Sequence, residues 1–137
     1  MTEDELLARY GLPPGHGDAP AIRTLIVEEL QGRKSDSNRD NGDLLKLGCV
    51  QLFSLGGLED VLLIWKCKRA DFDLGCWIDV QLLCGAGLDC TKAYLADHND
   101  DEAGRALVYL AECEAAGDFE EFSPADYLRQ YIRYFSP

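Results

Sequence analysis

The segment Asp97-His98-Asn99-Asp100-Asp101-Glu102 gathers four carboxylates and an imidazole within six residues, a density that a cation site could use. Calcium loops of the EF-hand type space their oxygen ligands around a central glycine and close on a glutamate, and that spacing is missing here. His98 has no second histidine at ligand spacing. Cys49, Cys67, Cys76, Cys84, Cys90 and Cys113 contain no Cys-x-x-Cys pair, so no zinc pattern is written either. A cysteine nucleophile needs a base or a positive field beside its thiolate, whereas these cysteines stand among apolar or acidic neighbours. His16 lies between glycines, with no partner in view to orient its ring. The expectation is therefore a chain without catalytic residues, metal ligands or cofactors. A small metal-dependent factor or enzyme built on Asp97 to Glu102 is the alternative.

Charge is the stronger signal. The 137 residues carry a formal net charge of −12, and eleven acids between Asp89 and Asp126 face only Lys92 and Arg105. Asp89, Asp101 and Asp118 suit helix caps, but Glu112, Glu114, Glu120 and Glu121 exceed what capping needs, and like charges packed together weaken a fold by self-repulsion. Glu112, Glu114, Asp118, Glu120 and Glu121 are the expected partner surface, set against the plainer reading of a solvated acidic face. Nucleic acid is excluded as a direct partner, because binding it requires cations to replace the phosphate counterions. A protein with a basic face is the partner that this balance would steer. The function expected is a non-enzymatic protein–protein interaction module, in its sharper form an acidic inhibitor or immunity-type protein for a basic partner such as a nuclease.

The elements that must hold this surface are written as a repeat. Shifting the chain by thirty residues places Asp43 on Asp73, Val50-Gln51-Leu52 on Val80-Gln81-Leu82 and Gly57-Leu58 on Gly87-Leu88; a second such shift places Leu107, Leu110 and Gly117 in the same columns. Within the first copy Leu44, Leu47, Val50 and Phe53 recur at helical steps. Asp43 and Asp73 stand where N-caps are wanted, and Gly57 and Gly87 where a left-handed residue would end the helix. Trp77, aligned with Leu47 and Leu107, is expected in the buried column.

The run Gly57-Leu58-Glu59-Asp60-Val61-Leu62-Leu63, followed by Arg69-Ala70-Asp71-Phe72-Asp73, resembles the glycine, second helix and following turn of ankyrin-type repeats. The family's Thr-Pro-Leu-His opening is absent, and the period here is shorter than the usual ~33 residues. The resemblance implies an ankyrin-like or other α-hairpin solenoid with a binding surface and no catalytic centre.

The fold expected is all-α: stacked helical hairpins with a period of about thirty residues, two clear copies and one degenerate, between N- and C-terminal capping helices. One domain spans 1–137, with units near 43–72, 73–102 and 103–135 and about seven or eight helices in all. Thr2 and Asp18-Ala19-Pro20 open the two leading helices, and Ser123-Pro124 opens the last, where Tyr127, Leu128, Tyr131, Ile132 and Phe135 form one aromatic stripe. Residues 32–42 hold no apolar side chain and read as a mobile loop. The acidic start lacks the basic and apolar pattern of a secretory signal, and no apolar run approaches the ~18 residues of a membrane span, so a cytoplasmic location with reduced cysteines is expected.

Overall fold

The centre of the molecule is α3 (Gly42–Leu55), whose sequence is apolar nearly all round. Leu44, Leu45, Leu47, Cys49, Val50, Leu52 and Phe53 are all buried on it, as expected of a helix that neighbours surround. The computed structural model describes residues 1–36 and 38–137. Among these it is all-helical: α1 (Glu3–Tyr10), α2 (Ala19–Ser35), α3, α4 (Val61–Lys68), α5 (Phe72–Trp77), α6 (Leu88–Ala96), α7 (Asp101–Ala115) and α8 (Pro124–Phe135), joined in part by 3-10 turns at His16–Asp18, Leu58–Asp60 and Val80–Cys84. α3 packs on α1, α2, α5, the Val80–Cys84 turn and α8, while α4 bridges α5 to α7 and α6 lies against α7. No described helix is long and apolar enough to cross a membrane.

The caps show why each helix starts where it does. Thr2 accepts from the Glu5 amide at 3.2 Å and Ser123 from the Asp126 amide at 3.1 Å, both as the sequence predicts. Elsewhere the cap lies one or two residues earlier than expected. Asp71, not Asp73, accepts from Leu74 N at 2.9 Å, and Asp100, not Asp101, accepts from Ala103 N at 2.7 Å. Asp43 lies in the first turn of α3, which starts after Asn41. An acid in the first turn is favourable too, through the helix dipole, so composition alone does not separate the two positions.

Four further expectations are corrected. The stop of α3 is Gly56, at φ 70°, with its amide bonded to Phe53 O, whereas Gly57 is extended at φ −77°. Gly87 does have a positive φ, 96°, but it precedes α6 and follows no long helix. The helix expected from Asp73 to Gly87 breaks after Trp77. There the Lys68 ammonium donates to Gly75 O at 2.7 Å and to Ile78 O, satisfying carbonyls that a continuing helix would have bonded. Trp77 consequently leaves the core column: it is 41% exposed, laid against Gly42 with the Arg33 guanidinium 6.0 Å from its ring centre. Trp65, at 5%, is the buried tryptophan.

The segment 32–42 is not a plain loop. α2 runs on to Ser35, Arg39 pairs with Glu29 at 2.8 Å, and Asn41, buried, donates to Glu29 O at 2.9 Å. Arg33 reaches across to Asp71 at 2.7 Å. Polar residues can thus anchor a segment that apolar counting leaves without any hold. Ser37, within the expected loop, lies outside the described residues.

Candidate interaction surface around the last helix

The five acids expected to act together are separated by the fold. Glu114 pairs with Lys92 at 2.7 Å, across α7 and α6. Glu112 is exposed and lines a hollow with Trp65, Arg69, Arg105 and Tyr109. Asp118, Glu120 and Glu121 gather in the turn between α7 and α8, where with Gln81 and Asp126 they line a hollow of about 240 Å³ without a basic residue among those described. Glu121 holds φ 57°, the one non-glycine residue in the left-handed region among those described. Phe119, buried below this turn, meets Phe122 edge-on at 5.4 Å and fixes the turn to the core.

Sequence reasoning missed what lies on the other side of Tyr127. Tyr127 and Gln130 also line a second hollow, of about 290 Å³, enclosed by α8 and the first turns of α1 and α3. At its base the Tyr127 hydroxyl donates to Asp79 Oδ2 at 2.8 Å, and the Tyr131 hydroxyl donates to the same oxygen. Burial, and then the bonds to Asp79, push both phenols well above the usual tyrosine range. The break after Trp77 is what makes this possible, because Ile78 and Asp79 are extended and the carboxylate turns toward α8. Glu3 and Asp43 add two more acids. The Glu3 carboxyl is raised by burial and by the neighbouring Asp43 and Asp4 charges. Lys46 is the only cation lining the hollow among the described residues, and its ammonium lies 5.7 Å from the centre of the Tyr131 ring.

The stripe on α8 leans on the core without entering it. Tyr127 meets Phe53 edge-on at 5.9 Å, yet no residue of α8 is fully buried, and Tyr134 is 77% exposed. The only sequence clue was that the stripe contains tyrosines, whose hydroxyls need partners or water.

Larger hollows occur elsewhere, about 680 Å³ beside Trp77 and about 820 Å³ along Trp65 and Tyr109. Several of the charges on their walls are used within the chain: Arg33 with Asp71, and Arg69 and Arg105 both with Glu102. The segment Asp97 to Glu102 is similarly engaged. Asp100 caps α7, Glu102 accepts from Trp65 Nε1 at 3.0 Å as well as from the two arginines, and His98 Nδ1 lies 2.9 Å from Tyr94 O. Among the described residues no group of three or more His, Cys, Asp or Glu is placed to share a metal ion.

All six thiols are unpaired; Cys49, Cys67, Cys84 and Cys113 are buried, while Cys76 and Cys90 are exposed. Burial pushes the Cys84 thiol up to about 12, away from the thiolate form that nucleophilic chemistry needs.

No model of a protein family matches the chain, and no curated protein or solved structure matches it either.

Proposed function

We propose that this chain is a non-enzymatic protein–protein interaction module that receives a protein with a basic face, as an acidic inhibitor or immunity-type protein would. The observation that carries the proposal is that two hollows share Tyr127 and Gln130 as walls and are lined by acids on both sides. Asp118, Glu120, Glu121 and Asp126 lie on one side, and Asp79, Glu3 and Asp43 on the other. Within this surface only Asp126 is ion-paired among the described residues, with Arg129. A field of one sign steers an oppositely charged partner into encounter and is wasted on a solvated face. The strained backbone at Glu121 supports the same reading, since a residue held in a sparsely populated conformation points to a role that outweighs its cost.

The scaffold we infer is an α-hairpin repeat with flanking helices, related to the ankyrin-like type. Support comes from helix starts at Gly42, Phe72 and Asp101, close to the thirty-residue period. Such a scaffold offers a surface and not a deep catalytic pocket. The proposed setting is the cytoplasm, with the thiols reduced and no direct contact with nucleic acid.

The test is capture on the immobilised chain, followed by identification of retained proteins and measurement of their association rates. A basic protein whose association slows by about tenfold when Glu120→Lys and Glu121→Lys are combined, and slows with added salt, is the expected result. Glu112→Lys, on another face, should leave the rate unchanged. Equal rates and equal salt response for the double variant and the parent would overturn the proposal.

A further inference from the structure

We infer that the hollow between α8 and the first turns of α1 and α3 is a receptor for one arginine side chain of a partner protein. This rests on the reading of the surface as a site for a basic protein and specifies how that protein is anchored.

Three features define the occupant. The first is the ring surface: Tyr131, Tyr134 and Phe135 line the hollow, and Tyr134 projects from it largely uncovered. Aromatic faces carry partial negative charge and attract cations, guanidinium more often than ammonium. The second is the set of acids. Both phenol protons at the base go to Oδ2 of Asp79, which leaves its Oδ1 without a hydrogen bond among the described residues, and Glu3 and Asp43 stand at the rim. A planar guanidinium can stack on a ring and still direct its fork at a carboxylate, which a lysine ammonium cannot do in one position.

The third feature is Lys46. Its ammonium lies over Tyr131, yet no carboxylate lies within ion-pair distance of it among the described residues. The ring therefore already attracts a cation from this chain. Lys46 is held by one ring contact at the end of a flexible stem, so it can swing away when a guanidinium enters. It acts as a competitor for the site. Among the described residues no three acids are placed to share a metal ion, and a phosphate would meet three acids against one lysine.

The experiment is a titration of the full, isotopically labelled chain with N-acetyl-arginine amide, and with the citrulline analogue as a control of the same shape without charge. Amide shifts in the nuclear magnetic resonance spectrum should move at Glu3, Lys46, Tyr131 and Tyr134 with arginine and stay in place with citrulline. Tyr134→Ala should weaken the arginine response about threefold to fivefold. Because Tyr134 is exposed, its removal should leave the melting transition unchanged. Lys46→Met should strengthen the response, an effect that a merely structural lysine would not produce. Equal shifts with citrulline, shifts confined to other faces, or a weaker response in Lys46→Met would each overturn the inference. Arginine-specific shifts combined with capture insensitive to Glu120 and Glu121 would keep this receptor and remove the wider acidic surface. Capture that depends on those two acids without arginine-specific shifts would remove the receptor alone.

Discussion

At the level of single residues, side chains of the same type have opposite fates. Trp65 is packed against Tyr109 with ring centres 5.4 Å apart and donates to Glu102, whereas Trp77 rests on the surface of α3. Urea titration should give a loss of about 3–5 kcal/mol for Trp65→Ala. The loss for Trp77→Ala should be nearer 1 kcal/mol, the ordinary cost of a substitution that opens no cavity. The two adjacent glycines divide in the same way. Gly56→Ala forces a side chain into the left-handed region at about 1–2 kcal/mol, while Gly57→Ala keeps an extended backbone that any residue adopts and meets only the movable end of Glu59. Glu121→Gly should raise stability by up to about 1 kcal/mol by relieving the same strain, and should lower partner association if the acid is used for binding. Thermal melts of Gly56→Ala, Gly57→Ala and Glu121→Gly, run together, check all three signs.

At the level of elements, the decisive event is the end of α5. Lys68, buried on α4, takes the carbonyls of Gly75 and Ile78 at the end of α5, and its own pKa is lowered by that burial against the attraction of Asp79. Lys68→Met removes the donor and leaves those carbonyls unpaired, so it should destabilise by about 1–3 kcal/mol although it removes a buried charge. The freed Asp79 links this element to α8, and that link should contribute to a loss of stability at alkaline pH. The Tyr127 and Tyr131 phenols are raised in the folded state from a usual value of 10.0. The unfolded chain therefore releases these protons first, and stability that is complete below pH 10 declines as pH rises beyond it. Cys84 acts in the same direction from 9.0 up to about 12. Following tyrosinate absorbance with pH should show two phenols titrating late, and Tyr127→Phe should flatten the decline in stability above pH 10. An unchanged slope in that variant would disconnect the phenol from the alkaline loss of stability.

At the level of the whole molecule, a net charge of −12 on 137 residues opposes compaction, so added salt should raise the melting temperature before any specific ion effect enters. The parent should gain more from salt than the Glu120→Lys, Glu121→Lys variant, and scanning calorimetry at two ionic strengths compares them. The sequence by itself determined the helical class, the density of acids after Asp89, and the caps at Thr2 and Ser123. These are local properties, written in the spacing of apolar side chains and in residues that satisfy nearby amides. Only the tertiary structure decided which tryptophan is buried, where the helix after Asp73 breaks, which of the five predicted acids share a surface, and that Asp79 meets two tyrosines of α8. Each of those depends on a partner on another element: Lys68 of α4 on carbonyls at the end of α5, seven and ten residues on, Gly42 beneath Trp77, Lys92 opposite Glu114, and Tyr127 and Tyr131 about fifty residues beyond Asp79. Residue spacing along one helix carries no record of such contacts, because they form only when separate helices are brought side by side around α3.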